Sequence, residues 1–524
     1  QALALQPAYA MAHNNLGGTL SEQGKLEEAV VHYRQALALQ PAYAEACNSL
    51  GNALRALGKL EEAVVHYRQA LALQPAYAMA HNNLGTTLGE LGKPEEAVVH
   101  YRQALALQPA LAEASYNLGN VLKEQGKVEE AIVLYRQALA LRPAYAMAHN
   151  NLGNALKEQF KLDEAVAHYR QALAVQPDYA DAYNNLGIVL RDQGKHEEAT
   201  ACYRQALAIR PDYVVANSNL LFDMSYASDD AEQTGHEYRK WNDRHARHLV
   251  IQGTAHANNR NPSRRLRVGY VSADFLKHSI SYFMEPLLSA HDHGNVEVFC
   301  YSNSKHSDAT TARLQKLADV WRHIAGMTDG AVADLIVADA IDILVDLSGH
   351  TAGNRLLVFA RKPAPVQVTY LGYGATTGLS TMDYRLTDQY LSPSDSSEWH
   401  SEELVRLPGC YVCYGPPADS PPVAPAPVVT AGHVTIGSFN NLAKVTPAVV
   451  GVWAEILRSV PAARLVLKDR TLADEGQQAR FRSVFAKEGV CADRIAFISL
   501  IPNPVEHLAC YGRVDIGLDP FPYN

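Results

Sequence analysis

The chain has 524 residues, of which 48% are hydrophobic and 19% charged, and its formal net charge is -9. At roughly 100–200 residues per domain, this length allows about three folding units with sizeable cores. A negative net charge is atypical of proteins whose main partner is a nucleic acid, so that class is disfavoured. No apolar run approaches the ~20 residues of a membrane span, and seven scattered cysteines fit a reducing compartment. We therefore expect a cytoplasmic protein without a nucleic-acid or membrane partner.

A period of 34 residues organises the first 220 residues of the chain. Prolines recur at this interval from Pro7 to Pro211, and a Leu-Gly pair, an alanine and a tyrosine recur in the same register. Each unit predicts two helices, the second of which ends before proline, because its ring clashes with the preceding turn and it lacks an N–H. Glycine is expected where the helices approach closely, and tyrosine between neighbouring helices. The pattern resembles the tetratricopeptide repeat, which implies an all-α superhelix over residues 1–221.

The position directly before the recurring leucine is asparagine in six of seven units, the exception being Ser49. Since it lies on one face of each first helix, stacking places these amides in a row, the asparagine ladder, along the groove. An asparagine side chain offers donors and an acceptor, which suits the backbone of an extended peptide. The alternative is that asparagine is only a tolerated polar residue of the repeat. The predicted acceptor-binding residues are Asn83, Asn117, Asn151, Asn185 and Asn219.

The second half of the chain changes to short apolar runs that alternate with amphipathic helices, which predicts parallel sheets. Residues 222–264 keep a helical composition without the period and are predicted to cap and link. Residues 265–414 are expected to form one Rossmann-like lobe, 415–430 a connector, and 431–524 a second, incomplete lobe. The predicted strands are Leu266–Val271, Val296–Tyr301, Ile341–Leu347, Val366–Leu371, Arg385–Thr387, Val434–Phe439, Ala463–Leu467, Arg494–Ile498 and Val514–Leu518.

Polar motifs lie where several of these strands end. They are Gly-Tyr-Val-Ser-Ala-Asp-Phe from Gly269, Val-Asp-Leu-Ser-Gly-His-Thr from Val345, Tyr-Leu-Gly-Tyr from Tyr370, Ser-Phe-Asn-Asn-Leu-Ala-Lys from Ser438, and the run from Arg494 to Asp519. Together they resemble the catalytic region of the O-GlcNAc transferase family, in particular its bacterial members, over nearly all of residues 265–524. The resemblance implies a GT-B-type pair of Rossmann-like α/β lobes after the repeats. A nucleotide sugar would lie in the cleft between the lobes, mostly on the second, donor-binding lobe.

The resemblance also implies an activity. An inverting glycosyltransferase would move N-acetylglucosamine from UDP-GlcNAc to serine or threonine of proteins, while the repeats recruit the acceptor. One alternative is a protein O-fucosyltransferase of the same family that uses GDP-fucose, and another is a non-enzymatic repeat scaffold with a decayed catalytic region. His278, Lys444 and His507 argue against decay, because each matches a functional position of the family.

The departing UDP gains negative charge on its phosphates, and no Asp-x-Asp motif is evident in the sequence, so a protein cation is expected to stabilise it. We expect no metal and no other cofactor. Lys444 matches the family lysine that contacts the diphosphate, and Asn441 stands where the family usually has a glutamine near the donor. His278 matches a histidine beside the sugar, which either accepts a proton or orients the donor. Asp334 matches a second proposed base, with an ordinary exposed helix carboxylate as the alternative.

The remaining donor-binding residues are likewise implied by the resemblance. His507 matches a histidine next to the uracil, where it would stack or hydrogen-bond. His350 and Thr351 follow a predicted strand of the first lobe and are expected to line the pocket, although animal members have tyrosine in place of this histidine. Leu371 and Gly372 match the segment that forms the sugar pocket.

Overall fold

The computed structural model describes residues 8–227, 230–250, 256–396, 398–417 and 419–521. Residues 228–229 and 251–255 of the predicted linking segment, and residue 418 of the predicted connector, lie outside the described residues. The chain divides into two compact units, Gln1–Asn185 and Leu186–Asn524. Within the described ranges, no helix combines the length and apolar character that crossing a membrane requires.

Helix pairs follow one another at the 34-residue interval, which confirms the prediction of a repeated helical unit. The boundary between the two compact units falls within the eleventh helix described. The repeat helices are α1 (Ala10–Glu22), α2 (Leu26–Leu39), α3 (Ala44–Ala56), α4 (Leu60–Leu73), α5 (Ala78–Glu90), α6 (Pro94–Leu107), α7 (Ala112–Glu124), α8 (Val128–Leu141), α9 (Ala146–Glu158), α10 (Leu162–Val175), α11 (Ala180–Asp192) and α12 (His196–Ile209).

The recurring glycine and tyrosine pack against each other inside each repeat. A Cβ atom built on Gly17 would lie 2.7 Å from the Tyr33 ring, and one on Gly51 would lie 2.6 Å from the Tyr67 ring. Both distances are shorter than van der Waals contact allows, so only glycine permits the two helices to pack this closely. The sequence interpretation of this pair is therefore confirmed.

The turn between the two helices of a repeat places one residue in the left-handed region of backbone space. Glycine occupies this position in most repeats, with φ of 76° at Gly24 and 78° at Gly126. In the repeat formed by α9 and α10 the same position holds Phe160, with φ of 59°. A side chain in this conformation is strained, because its Cβ approaches the following carbonyl.

Further helices follow the repeats in the second unit and pack onto the first sheet. They are α13 (Val214–Ala227), α14 (Ala231–Trp241), a π-helix at Asn242–Ala246 and a short 3-10 helix at Arg247–Leu249. Tyr238 and Trp241 of α14 are fully buried in one core with Leu344 and Phe359 of the first lobe. These helices therefore share a hydrophobic core with the sheet that follows them.

The first sheet is parallel, with the strand order β3-β2-β1-β4-β5-β6-β7. This is the Rossmann order 3-2-1-4-5-6 with one additional strand, as the sequence predicts. The strands are β1 (Leu266–Ser272), β2 (Val296–Ser302), β3 (Val320–His323), β4 (Ile343–Asp346), β5 (Val366–Thr369), β6 (Tyr384–Thr387) and β7 (Glu403–Arg406). The accompanying helices are α15 (Ser279–Ser289), α16 (Ala309–Gln315), α17 (Asp329–Ala338) and α18 (Leu356–Phe359).

The second sheet is also parallel and has the order β10-β9-β8-β11. Its core contains Trp453, Phe481 and Phe485, which are buried against the strands. The strands are β8 (Thr435–Ser438), β9 (Arg464–Lys468), β10 (Ile495–Ile498) and β11 (Ile516–Gly517). The helices are α19 (Val428–Ala431), α20 (Pro447–Ser459), α21 (Glu475–Lys487) and α22 (Pro504–Ala509). The prediction of parallel α/β architecture after the repeats is confirmed.

Candidate functional site

The segment that carries Lys444 follows the carboxyl end of β8, the edge at which open parallel sheets bind ligands. Its last residues form a 3-10 helix, Leu442–Lys444, capped by Asn441, whose Oδ1 accepts the N–H of Ala443 at 3.0 Å. The Lys444 ammonium lies 5.9 Å from the centre of the Tyr226 ring. Burial lowers the pKa of Lys444 to about 8, and the nearby Asp519 offsets part of that effect. Lys444 is thus a partly desolvated cation, which interacts strongly with an anion.

A second lysine, Lys468, ends the adjacent strand β9 and escaped the sequence analysis. Its Nζ lies 2.6 Å from Nδ1 of His507, so the ammonium donates to the ring and the ring proton resides on Nε2. Burial lowers the pKa of His507, and the positive charge of Lys468 lowers it further, so the imidazole is neutral. Tyr511 lies edge-on to His507, with its ring 6.0 Å away, and stacks obliquely on Phe439 at 4.6 Å. Lys444 and Lys468 therefore follow neighbouring strands of the second lobe, and each lies beside an aromatic ring, Tyr226 and Phe439 respectively.

His278 is the N-cap of α15 in the first lobe. Its Nδ1 accepts the N–H of Ile280 at 3.3 Å and lies 3.9 Å from Oδ2 of Asp274. Burial raises the pKa of the Asp274 carboxyl, while His278 partly offsets the rise. Because the Nδ1 lone pair accepts a backbone N–H, the proton of a neutral His278 lies on Nε2.

A cavity of about 630 Å³ opens beside His278. Lys277, Tyr282 and Arg313 of the first lobe line it together with Pro504 of the second lobe. Lys277 Nζ also donates to the carbonyl of Pro502 at 2.9 Å, which joins the two lobes next to the helix of His507. A cavity of this volume accommodates a ligand of nucleotide size.

Leu371 and Gly372 form a crowded turn after β5. Leu371 has φ of 69°, which is rare for a residue with a branched side chain. A Cβ atom built on Gly372 would lie 1.8 Å from the carbonyl oxygen of Leu347, the residue directly after β4. The turn therefore holds the carboxyl ends of β4 and β5 together, and glycine is required there.

His350 differs from its prediction as a pocket residue. Its ring is 1% exposed and lies between the first sheet and the helices before it, 4.9 Å from the ring of Trp241. Nε2 donates to the carbonyl of Thr377 at 2.8 Å, and Nδ1 lies 3.2 Å from the Ser218 hydroxyl. Burial lowers the pKa of His350 to about 4, so the ring is neutral. These contacts use both nitrogens in the core, which sequence alone does not reveal for a histidine at a strand end.

Thr351 and Asp334 both belong to the first lobe, whereas the two lysines belong to the second. The Thr351 hydroxyl donates to the carbonyl of Ser348 at 2.8 Å and so stabilises the loop after β4. Asp334 is exposed in the middle of α17. This placement matches the alternative of an ordinary helix carboxylate rather than a residue at the ligand edge.

The asparagine ladder exists, but its amides are bonded between repeats. Asn83 donates to Oδ1 of Asn48 at 3.1 Å, Asn117 to Asn82 at 3.1 Å, and Asn185 to Asn150 at 3.0 Å. Asn151 donates to Asn120 at 2.9 Å and to Tyr116 at 3.1 Å. Each bond reaches back into the preceding repeat. Each of these four amides therefore uses at least one N–H within the repeats, while the half-exposed side chains still reach the surface, and binding of an acceptor by the ladder stays a prediction.

Comparisons with known proteins cover both halves of the chain. A model described as glycosyl transferase family 41 matches residues 245–415, and tetratricopeptide-repeat models match residues 17–54, 51–92, 87–126, 119–159 and 144–212. The solved structure of an O-GlcNAc transferase mutant from Thermobaculum terrenum is similar, with a TM-score of 0.67 and 35% identity. That similarity covers 85% of this chain and 78% of the other.

Plant proteins are similar over a shorter stretch. The probable UDP-N-acetylglucosamine–peptide N-acetylglucosaminyltransferase SPINDLY of Petunia hybrida is 43% identical over 58% of this chain and 33% of its own length. The probable UDP-N-acetylglucosamine–peptide N-acetylglucosaminyltransferase SEC of Arabidopsis thaliana is 34% identical over 49% of this chain and 27% of its own length. The chain thus spans about a third of the length of the curated plant relatives it matches.

Proposed function

The chain belongs to glycosyltransferase family 41, and from that premise we propose that it transfers N-acetylglucosamine from UDP-GlcNAc to serine or threonine hydroxyls of proteins. The observation that carries the proposal is the pair of lysines, Lys444 and Lys468, at the carboxyl ends of the adjacent strands β8 and β9. UDP presents a charged diphosphate and a flat base. Buried cations beside aromatic rings suit both parts of that ligand.

Lys444 stabilises the diphosphate in this mechanism. As the sugar leaves, negative charge grows on the phosphate oxygens, and a fixed ammonium in a partly desolvated site interacts with it more strongly than water does. The protein supplies this charge itself, so we propose that transfer proceeds without a metal ion. Asn441 contributes by capping the turn that presents Lys444.

His507 and Lys468 hold the nucleobase end of UDP. The ammonium of Lys468 keeps His507 neutral and fixes the proton on Nε2, so the ring can stack on a base and donate one hydrogen bond. Tyr511 limits the rotation of the ring by its edge-on contact. Lys468 was missed because a lysine at the end of an apolar strand carries no motif, and only the fold brings it to His507.

His278 orients the donor rather than accepting a proton, so the proton of the acceptor hydroxyl passes to the departing diphosphate, whose growing negative charge can accept it. With Nδ1 engaged by the Ile280 N–H, the neutral ring presents an N–H at Nε2 and has no free lone pair for a hydroxyl proton. The adjacent cavity lies along α15, so a sugar bound there would accept this hydrogen bond.

The repeats recruit the protein acceptor. Four asparagines of the ladder donate to the preceding repeat, and the Oδ1 atoms of Asn83, Asn151 and Asn185 also accept from the asparagine directly before them. A peptide backbone would therefore bind mainly by donating its N–H groups to the second lone pair of these oxygens. An acceptor bound in this way is recognised by its backbone and by its extended conformation, whatever its side chains.

The donor is tested by thermal shift and by transfer of labelled sugar to a library of Ser/Thr peptides. UDP-GlcNAc and UDP should each raise the melting temperature, GDP-fucose should not, and label should pass from UDP-GlcNAc alone. Lys487→Ala, which removes an exposed lysine of α21, serves as the control. Stabilisation by GDP-fucose with transfer of fucose would replace the proposed donor, and binding without transfer of either sugar would favour the scaffold.

A further inference from the structure

A polar triad, defined as His196 and Thr200 of α12 in the last repeat and Asp223 of the following helix α13, occupies positions that are mostly apolar in the earlier repeats. Asp223 is 0% exposed and His196 is 9% exposed. Residue 196 corresponds to Leu26, Leu60, Pro94, Val128 and Leu162 of the earlier repeats, and residue 200 corresponds to Val30, Val64, Val98, Ile132 and Val166. Residue 223 corresponds to Ala53, Thr87, Val121, Ala155 and Val189.

The triad is closed by short hydrogen bonds. Asp223 Oδ1 lies 2.7 Å from Nδ1 of His196, and Asp223 Oδ2 accepts the Thr200 hydroxyl at 3.1 Å. Nε2 of His196 lies 2.8 Å from the carbonyl oxygen of Ala443 in the second lobe. Because a carbonyl oxygen only accepts, Nε2 of His196 carries a proton and donates to Ala443, while Nδ1 shares a hydrogen bond with the carboxyl group of Asp223.

The carbonyl that His196 reaches belongs to the residue directly before Lys444. Ala443 is fully buried within the 3-10 turn, so a bond to its carbonyl fixes the backbone that presents the lysine. Tyr226 of α13 lies on the other side of the same contact, edge-on to His196 at 6.4 Å and 5.9 Å from Lys444 Nζ. The turn before α12 also abuts the second lobe, since a Cβ atom on Gly194 would lie 3.1 Å from the Arg480 guanidinium.

Burying a hydrogen-bonded histidine and carboxyl group where the repeat mostly uses aliphatic side chains costs solvation, and apolar residues of similar volume often stabilise such sites as well or better. What the aliphatic residues cannot supply is a directed bond to one carbonyl. We propose that His196, held by Asp223, is a positioning residue that fixes the Lys444 turn, so the last repeat forms part of the donor site. This inference rests on the proposed role of Lys444 in binding the diphosphate.

The test restores the sequence of the other repeats at the triad. The variant His196→Leu/Thr200→Val/Asp223→Val should keep or raise the melting temperature while it loses roughly 10- to 100-fold in transfer rate and in affinity for UDP, because the lysine is no longer held in place. Lys487→Ala, which removes an exposed lysine of α21, is the matched control and should stay within about twofold of wild type. Wild-type activity in the triple variant, or a melting temperature that falls together with activity, would overturn the inference.

A double-mutant cycle asks whether the triad acts through Lys444. Asp223→Asn preserves the shape of the side chain but replaces the carboxyl group that holds Nδ1 of His196 with an amide, and it should cost about 10-fold in UDP affinity by calorimetry. In a Lys444→Ala background the same change should cost nothing further, whereas additive losses would show that the triad acts elsewhere. If wild type binds UDP but transfers no sugar, the proposed function fails while this cycle is still read on UDP affinity. Absence of UDP binding in wild type would overturn both.

Discussion

The two compact units, Gln1–Asn185 and Leu186–Asn524, use their polar side chains in opposite ways. In the first, ladder asparagines donate to the preceding repeat, and glycine meets tyrosine within each repeat. In the second, Lys444 and Lys468 stand at strand ends with their pKa values lowered by burial. The row of ladder asparagines thus stabilises the stacking of neighbouring repeats. Desolvated charge at the edge of a sheet is the stronger sign of a ligand site.

The largest expected effect is the loss of transfer rate on substitution of Lys444, which tests whether this side chain binds a ligand rather than stabilises the fold. Lys444→Ala should lower the transfer rate roughly 10²–10³-fold, about 3–4 kcal/mol, because one preorganised charge is lost from the transition state. The melting temperature should not fall, since a partly buried ammonium that is costly to desolvate is removed. Rates are measured with EDTA present, and Lys487→Ala provides the exposed-lysine control. Wild-type turnover in the variant would refute the diphosphate assignment, and a requirement for added Mn²⁺ or Mg²⁺ would refute metal-free transfer.

The second prediction concerns the hydrogen bonds of the asparagine ladder. Asn117→Ala, Asn151→Ala and Asn185→Ala together should destabilise the repeats by about 3 kcal/mol, at about 1 kcal/mol for each truncated side chain and the hydrogen bonds it makes. The bonds lost at Asn117 and Asn185 leave the Oδ1 atoms of the buried Asn82 and Asn150 without these donors. Unfolding is followed by circular dichroism in urea, and UDP affinity should not change. If the urea midpoint is unchanged and acceptor binding is weakened, the ladder binds the acceptor and does not stabilise the repeats.

The sequence predicted the repeats and most strands well, because both depend on local periodicity. The strands β3 and β7 escaped because they are short edge strands with largely half-exposed residues and no apolar run. His350 was misjudged because its partner Trp241 is distant in sequence. The contact between Lys468 and His507, and that between His196 and Ala443, are likewise long-range, so only the fold shows them.

Neighbouring glycines of α1 test how tightly the repeats are packed. Gly17→Ala should destabilise by about 2 kcal/mol, because its Cβ would press into the Tyr33 ring at 2.7 Å. Gly18→Ala should instead stabilise by about 1 kcal/mol, since its Cβ would meet only the Tyr33 hydroxyl at 3.9 Å and alanine favours helix. Urea denaturation of both variants measures the difference. If both substitutions change the free energy of unfolding equally and in the same direction, the Gly17–Tyr33 contact does not determine how closely the two helices pack.

The pH dependence of transfer sharpens the assignment of Lys444. Its pKa is lowered to about 8, so the ammonium is present below pH 8 and is lost as pH rises further. We expect kcat/KM to fall about tenfold per pH unit above pH 8. The decrease in kcat should begin at a higher pH, because the bound diphosphate favours the charged form of the lysine. Lys444→Arg should be slower at pH 7 but flat across this range, since guanidinium does not titrate there. If the loss of kcat/KM above pH 8 also occurs in Lys444→Arg, a titrating group other than Lys444 causes it.

The smallest expected effect is on the stability of the repeats. It concerns the turn between α9 and α10, where phenylalanine replaces glycine. Phe160 adopts φ of 59°, whereas Gly24, Gly58, Gly92 and Gly126 adopt φ between 71° and 78° at the same position. Phe160→Gly should stabilise the first unit by about 1 kcal/mol, because the left-handed strain of a residue with a Cβ exceeds the extra chain entropy of glycine. The Phe160 ring is half-exposed, so little apolar burial is lost. Gly126→Ala, the mirror change one repeat earlier, should destabilise by a similar amount, and chemical denaturation of the two variants compares them directly. Loss of stability in Phe160→Gly would mean that contacts of the ring outweigh the strain of its backbone.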